Sequence, residues 1–533
     1  MRGAIVLAVA VLVLPAFGRP DPPRGWLVVR DTFPRFRGVS DSVVVARDIT
    51  PGTGIFEYCV GPTGFHGPLA DVDSSGCMPV VLADTSDSIM YFSRVDPWCQ
   101  WDDPVPIATP LPDPCCPSYN VAVSRVSSNV CITWVYSPRG HSQRPGFYRT
   151  STDGGVTWGP STELVWPDAY GGDTLTSFHS SSLFPFYDED DGLHIAASVG
   201  PYLNDTNFVL PAQIWHWKND TWSLVHQADP ESLRAPVGYN SLVAGRPSLG
   251  GSPRFPDALL CAWEEFDGYN VDTLTGLLRA DIWVAFSDDN GETWVFHRRL
   301  TGPGVRASHR FPCICDLAIE GSRLDTNMVV YLVDQQAGFA CLGQGSATQN
   351  PVAVCKFFDS HPATDTIGGT TQDLQCLGPA VRTLCNSEDY GVHAAWEHSL
   401  DLSGGGFPYL NTRYNFYDYS TGWNWIDPDY LFSGVNVFTG RTAMGRLSAD
   451  SNTGSAHVSG HYVPQTWMSE RKPESATIEV LLRAPTVVRG SLILATNFSP
   501  RGCGLVLLDA AGRKVMDLKQ GKSDIRHLAP GVY

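Results

Sequence analysis

The chain is 533 residues long, 43% hydrophobic and only 17% charged, with 51 Gly and 40 Pro. That length buries a large core, and a composition rich in Gly, Pro and aromatics disfavours helical bundles and coiled coils. A net charge of −18 excludes a nucleic-acid footprint.

Residues 1–18 carry the marks of a secretory signal: Arg2, the apolar run Ile5–Leu14 and the small residues around Ala16-Phe17-Gly18. The run stops at Pro15, short of the roughly twenty residues a membrane span needs. The expectation is an exported, secreted or cell-surface protein with no membrane span in the mature chain. Fourteen Cys are compatible with that compartment but form no framework pattern. Cys131, Cys261 and Cys503 sit inside apolar runs, as buried hydrophobes do. Neither Cys313/Cys315 nor Cys115-Cys116 has the spacing of a zinc site.

A repeat then runs through most of the chain. Short apolar runs ending in a polar turn recur at Pro79–Asp84, Val130–Val135, Leu193–Ser198, Ala258–Glu264, Asn327–Val333, Gly391–Glu397 and Ser455–His461, their starts 51 to 69 residues apart. Each is followed by an aromatic close: Trp101, Trp158, Trp222, Trp294, Phe358, Trp425 and Trp467. Further candidate strands, such as Phe311–Ile319 and Thr442–Leu447, lie ahead of most runs. Three or four short antiparallel strands per unit make one propeller blade. The spacing predicts an all-β chain with a β-propeller over 25–468, of seven blades with six as the alternative, its N-terminal strands closing the ring.

Two units carry a sharper signature, S-x-D-x-G-x-T-W: Ser151, Asp153, Gly155, Thr157 and Trp158 in one, Ser287, Asp289, Gly291, Thr293 and Trp294 in the other. Degenerate versions lie at Trp217–Trp222 and Tyr419–Trp425. On these residues the chain resembles the sialidase-type (BNR, or Asp-box) propellers. Ser and Asp side chains suit bonding to the hairpin's own backbone, Gly suits φ > 0, and Trp fills the space beneath. The resemblance implies a structural role for the boxes, at outer hairpins away from the central site.

Composition shifts after Trp467: only Lys218 and Lys356 precede residue 472, and four Lys follow from Lys472. Residues 469–475 read as a linker, and 476–533 as a small antiparallel β-sandwich with strands at Thr477–Leu482, Ser491–Ala495 and Leu505–Asp509. The run Leu508–Val515, with Leu528–Tyr533, resembles the C-terminal sorting domain of the type IX secretion system. That resemblance implies the type IX export machinery as a partner, and the stop at Tyr533, where such domains add a final strand, reads as a truncated or unusually short version. The alternative is an Ig-like stalk.

Propeller ligands bind at the axial mouth. Arg246, Arg310 and Arg441 hold comparable positions ahead of candidate inner strands, and three converging guanidiniums suit a carboxylate. The sialidase-type family holds its acidic sugar with such a triad. The competing expectation is that these arginines pair with acidic neighbours. An F-R-I-P motif is absent from the sequence, Phe33–Arg37 being the nearest stretch. A sialidase also needs a Tyr nucleophile, a Glu beside it and an Asp acid/base; Tyr414, Tyr417, Glu264, Glu265 and Glu397 have the right chemistry but no motif marks them, so the catalytic residues stay unassigned. The acidic run Asp188–Asp191 reads as a solvated turn rather than a Ca²⁺ loop. His179, His309 and His393 fall near strand starts without metal spacing, and Tyr202, Trp215 and Trp217 suit either sugar stacking or blade packing. No cofactor or metal is expected. Three functions fit: a carbohydrate-binding module for a glycan or other extracellular ligand, an exo-sialidase-type glycoside hydrolase, and a structural or adhesive surface protein.

Overall fold

The seven apolar runs are the second strands of seven sheets: Met78–Asp84, Val130–Val135, Leu193–Leu203, Leu259–Val271, Asn327–Asp334, Val392–His398 and Ala456–Val463. They read as near-continuous apolar stretches because neighbouring blades cover both faces; Val130–Val135 is buried along its whole length. The computed structural model describes residues 42–463, apart from 49, 85–88, 109–117, 137–142, 171–174, 204–205, 229, 303, 321–324, 358–362, 377–378, 403–409, 439–440 and 444–445, and four strands of the tail. Residues 1–18, Phe33–Arg37, Phe358, Trp467 and residues 469–475 lie outside the described residues.

Each blade is an antiparallel sheet built outward from an inner strand. The inner strands, in chain order, are Phe65–Ala70, Ser118–Val123, Thr176–Phe178 with Phe184–Tyr187, Ala244–Gly251, Ser308–Ile314, Leu384–Asn386, and Arg441–Ala443 with Leu447–Ala449. The seventh blade takes its outer strands, Ser42–Asp48 and Phe56–Thr63, from the start of the propeller. Ser42–Asp48 pairs with Ala456–Val463 in unbroken register, Ser42 opposite Tyr462 and Asp48 opposite Ala456. The fold is a seven-bladed β-propeller, closed by its N-terminal strands. The fifth inner strand is Ser308–Ile314, three residues ahead of where the sequence placed it.

The core is a ring of seven apolar layers, one between each pair of adjacent blades. Trp263 with Phe184 and Ile214 fills the layer between the third and fourth blades; Phe311, Val330 and Trp396 fill that between the fifth and sixth. A disulfide, Cys59–Cys99, spans 40 residues and joins the outermost strand of the seventh blade to the turn after the first blade's third strand. Closing a loop of that length contributes on the order of 4 kcal/mol by chain entropy.

Two arginines close the axis. Arg446 reaches from the seventh blade to Asn120 Oδ1 (2.6 Å) on the second and to Asp71 Oδ2 (2.8 Å) after the first. Arg382 reaches from the approach to the sixth blade to the carbonyls of Ile314 (3.4 Å) and Leu249 (3.3 Å) on the fifth and fourth, over the rings of Phe184 and Phe186 on the third. Between them the two side chains touch or start from all seven blades, and both are buried.

In the tail, Ser491–Leu494 pairs with Gly521–Asp524 and Leu505–Leu508 with Lys514–Leu518, all antiparallel. Residues 477–482 lie outside the described residues.

Candidate functional site

The inner strands of the first, fourth and fifth blades share one irregularity. In each a left-handed residue stands directly before a proline: Gly67 (φ 58°) before Pro68, Arg246 (φ 52°) before Pro247 and Phe311 (φ 54°) before Pro312. The ladder skips there, between His66 and Leu69, Gly245 and Ser248, and Arg310 and Cys313. Proline has no N–H to give the ladder, so the strand bulges and re-aims the side chains beside it. For Arg246, a non-glycine held at positive φ, the conformation itself costs on the order of 1–3 kcal/mol.

Both re-aimed arginines meet one carboxylate, Glu264, on the second strand of the fourth blade opposite Gly245. Arg246 Nη1 donates to Oε1 at 2.5 Å; Arg310 donates through Nε to Oε2 at 3.0 Å and through Nη2 to Oε1 at 3.2 Å. The Phe311 backbone N–H donates to Oε2 at 3.0 Å. Burial raises the cost of the Glu264 charge, but Arg310 and Arg246 outweigh it and hold the pKa at about 2. All three side chains are buried, at 1% exposure each. The guanidiniums lie on aromatic faces, Arg246 over Phe311 at 5.0 Å and Arg310 over Phe266 at 4.9 Å and Phe339 at 5.0 Å. Cys376 completes the shell by a hydrogen bond to Arg246, and burial pushes its thiol up to about 11.

The cluster also holds the segment above it. Arg310 Nη2 donates to Ser241 Oγ at 3.3 Å and Arg246 Nη2 to the Asn240 carbonyl at 3.4 Å. Next in chain stands Tyr239, 56% exposed, its backbone N–H on Gln344 Oε1 at 3.4 Å. Behind Arg310 two buried carboxyls face one another, Asp334 at the end of the fifth blade's second strand and Asp373 after its outer strand. Asp373 Oδ2 accepts from the Ala340 N–H at 2.6 Å and Asp334 Oδ1 from Gln336 N–H at 3.2 Å, while Asp373 Oδ1 and Asp334 Oδ2 have no partner. Burial raises the Asp373 pKa to about 6; burial, then the Asp373 charge, raise that of Asp334 well above the usual range. Beside Cys376 an apolar cavity of about 30 Å³, room for about one water, opens between the fifth and sixth blades, walled by Phe311, Leu332 and Trp396.

Of the three arginines expected at the mouth, the structure brings Arg246 and Arg310 together on an acidic neighbour. Arg441 heads the seventh inner strand opposite Val463; its side chain lies outside the described atoms. Tyr414 is buried in the sixth–seventh blade layer, its hydroxyl 2.7 Å from His393 Nδ1 and 3.3 Å from Asp48 Oδ2, so it does not face Glu264. Tyr417 carries the Lys356 ammonium 3.8 Å above its ring. Glu397 repeats the position of Glu264 in the sixth blade, its backbone bonded to Gln375.

The two S-x-D-x-G-x-T-W turns superpose bond for bond. Asp153 Oδ1 accepts from Ser151 Oγ (2.7 Å) and Thr157 N–H (2.8 Å), and Asp289 from Ser287 (2.8 Å) and Thr293 (2.8 Å). Gly155 (φ 89°) and Gly291 (φ 86°) lie on Phe92 and His216 of the preceding blade, where a Cβ would come within 2.1 and 2.2 Å. Trp158 packs edge-on against Phe92 and Trp294 against His216. Ser287 faces Leu259, five residues along the strand from Glu264, about 17 Å at the strand rise.

One expectation is corrected. Asp188 is not a solvated turn residue but 4% exposed: its Oδ1 accepts from the Asp190 and Gly192 N–H groups, and its Oδ2 lies 2.8 Å from His194 Nε2. His194 stacks on His216, and burial lowers the pKa of both, that of His216 to about 3. Ser387 with His393 repeats the contact at the same hairpin of the sixth blade; in the seventh, Asp450 caps the Asn452 N–H, while His457 Nδ1 lies 3.0 Å from Met78 Sδ. The recurring D/S-x₃-G-x₁₋₂-H is legible in the sequence at Asp188–His194, Ser387–His393 and Asp450–His457. His179 is buried and neutral, its pKa lowered to about 3 by burial and Arg246; His309 Nδ1 lies 3.3 Å from Asp281. Trp217 is buried against Tyr148 at 5.1 Å, and Trp215 donates to Gln213 Oε1 at 2.7 Å. Among the described residues no group of three His, Cys, Asp or Glu forms a metal cluster, and no helix is long and apolar enough to cross a membrane.

No family model and no curated protein matches the chain. Among solved structures it is similar to the GH93 α-L-arabinofuranosidase of Fusarium graminearum in complex with arabinobiose (12% identity, TM-score 0.41, covering 67% of this chain and 94% of that one). It is also similar to the six-bladed fucose-binding lectin of Aleuria aurantia (11%, 0.34, 68% and 94%). A third is the sialidase of Trypanosoma rangeli (11%, 0.39, 66% and 54%).

Proposed function

We propose that this chain is an exported carbohydrate-binding β-propeller whose ligand sits at the mouth, against Tyr239. The observation that carries the reading is an exposed aromatic ring whose two following residues are fastened to a buried ion cluster. A preorganised ring offers a sugar face an apolar platform at little entropic cost. Glu264 holds its charge locked on two arginines and Tyr414 lies in another blade layer, which argues against a Tyr–Glu sialidase pair. Export is supported by the signal-like residues 1–18 and by the Cys59–Cys99 disulfide; residues 476–533 are proposed as the sorting module read by type IX machinery.

The test is a glycan-array screen of the full chain followed by titration of the best ligand against Tyr239→Ala. Loss of the ring is expected to weaken binding about tenfold, some 1.4 kcal/mol. Unchanged affinity in the variant, or no glycan bound, would refute the reading. A second reading, a glycoside hydrolase, is favoured by one observation: Asp373 and Asp334 are buried carboxyls with raised pKa, the state a general acid needs. Turnover of a fluorogenic arabinofuranoside or sialoside that is lost in Asp373→Asn would establish it over simple binding.

A further inference from the structure

We infer that the mouth accepts an uncharged, hydroxyl-rich sugar and turns away sugars that carry a carboxylate. The inference rests on the carbohydrate-binding reading and names the ligand class of the same site. A sugar carboxylate is gripped through guanidinium N–H groups that face the ligand. Here Arg246 and Arg310 are each 1% exposed and both point at Glu264, which takes three donated bonds from them and a fourth from Phe311. Beyond Glu264 they also donate to Ser241, Asn240 and Cys376, and Arg246 Nε, which has no hydrogen-bond partner, is buried away from a ligand. An incoming carboxylate therefore has to displace an internal one that is already in place.

Among the described residues, several nearby cations are already engaged, whereas Arg234, five residues before Tyr239, is exposed and lies over the Tyr269 ring at 4.6 Å. Arg279 is engaged by Asp272 at 3.1 Å. Arg413, on the third strand of the sixth blade, gives Nη1 to the carbonyls of Phe432, Ser433 and Gly434. Behind Arg310 stand Asp334 and Asp373, both buried and closed to a ligand. The exposed group is Tyr239, whose ring and hydroxyl match C–H faces and hydroxyls rather than an anion.

Lactose and sialyllactose share a neutral disaccharide and differ by one acidic sugar, so the pair isolates the charge. The experiment titrates the full chain with lactose, L-fucose and L-arabinobiose, then with sialyllactose and digalacturonate, at low and high salt. At least one neutral sugar is expected to bind with an affinity that changes by less than about twofold over a tenfold rise in salt, since no ion pair with the ligand is there to be screened. Sialyllactose is expected to bind about tenfold or more weaker than lactose. Sialyllactose binding tighter than lactose, with an affinity that falls as salt rises, would overturn the inference and leave the carbohydrate reading standing. Binding of neither panel would remove that reading and the inference with it. Glu264→Gln supplies a second readout: with the internal carboxylate gone, the preference for lactose over sialyllactose is expected to shrink, and an unchanged preference in a folded variant counts against the role given to Glu264.

Discussion

Replacing Glu264 by Ala removes the only carboxylate that Arg246 and Arg310 are shown to touch. Both guanidiniums are 1% exposed, so water cannot take over the lost bonds without opening the blade interface. Breaking a buried ion pair from one side costs about 3–5 kcal/mol, because a charge is left buried and uncompensated. Here two charges are stranded and four hydrogen bonds are lost, which places the loss at the upper end. The propeller unit runs from Val39 to Gln465, and at about 2.1 cal/mol/K per residue its unfolding entropy is roughly 0.9 kcal/mol/K. A loss of about 5 kcal/mol then lowers Tm by some 5 to 6 °C, measurable by calorimetry or far-ultraviolet circular dichroism. A second variant, Arg246→Met/Glu264→Leu/Arg310→Met, removes all three charges at similar volume, and its stability is expected to return to within about 2 kcal/mol of wild type. The reasoning is refuted if Glu264→Ala melts within about 1 °C of wild type, or if the apolar triple variant is less stable than the single one.

Two further predictions concern the neighbouring carboxyl pair and the blade hairpins. Asp373 has a folded pKa raised from 3.8 to about 6, so the native state binds its proton more tightly than the unfolded chain does. This group's contribution is most favourable below pH 3.8 and is lost as pH rises towards 6, by about 3 kcal/mol. Asp373→Asn should remove that slope, keep an acceptor for Ala340, and exceed wild type in stability at pH 7.5 but not at pH 4; parallel pH profiles of the two proteins would rule the account out. Gly291→Ala should destabilise by about 2–4 kcal/mol, combining left-handed strain with overlap against His216. Gly276→Ala, also at positive φ (71°) but with open space around it, should cost only about 1 kcal/mol, and equal losses in denaturant unfolding would show that the contact with His216 is not what Gly291 provides.

The second strands were legible because blades bury them on both faces, which leaves an apolar run with a polar turn behind it. The inner strands were harder: Gly67-Pro68, Arg246-Pro247 and Phe311-Pro312 look like loop dipeptides, yet each is a bulge inside a strand. Glu264 and Glu265 are chemically alike and adjacent, and only strand alternation separates them. Glu264 turns to the arginines, whereas Glu265 turns to the Trp263 indole N–H at 3.0 Å and His226 at 2.9 Å. Arg382 and Arg446 gave no signal at all, because their partners lie up to 375 residues away in sequence and the contacts exist only once the ring is closed. Tyr239 is silent in the sequence for a related reason: nothing in its own segment marks it, and its neighbours Asn240 and Ser241 are held by Arg246 and Arg310.

Position and availability are separate properties of a binding residue. Arg246 and Arg310 lie within the fourth and fifth inner strands, close to where the sequence expected guanidiniums suited to an acidic sugar. Whether they are free depends on one residue that no motif announces. A ligand carboxylate entering this site exchanges one carboxylate for another on the same two arginines, so the ion-pair gain nearly cancels, and the displaced Glu264, 1% exposed, would be left as an unpaired buried charge at a cost of about 3–5 kcal/mol. That penalty alone corresponds to a factor of roughly 10² to 10³ or more in affinity. On the proposed carbohydrate-binding reading, a neutral sugar would meet no such penalty, because it would leave the cluster intact and use the Tyr239 ring and the backbone beside it.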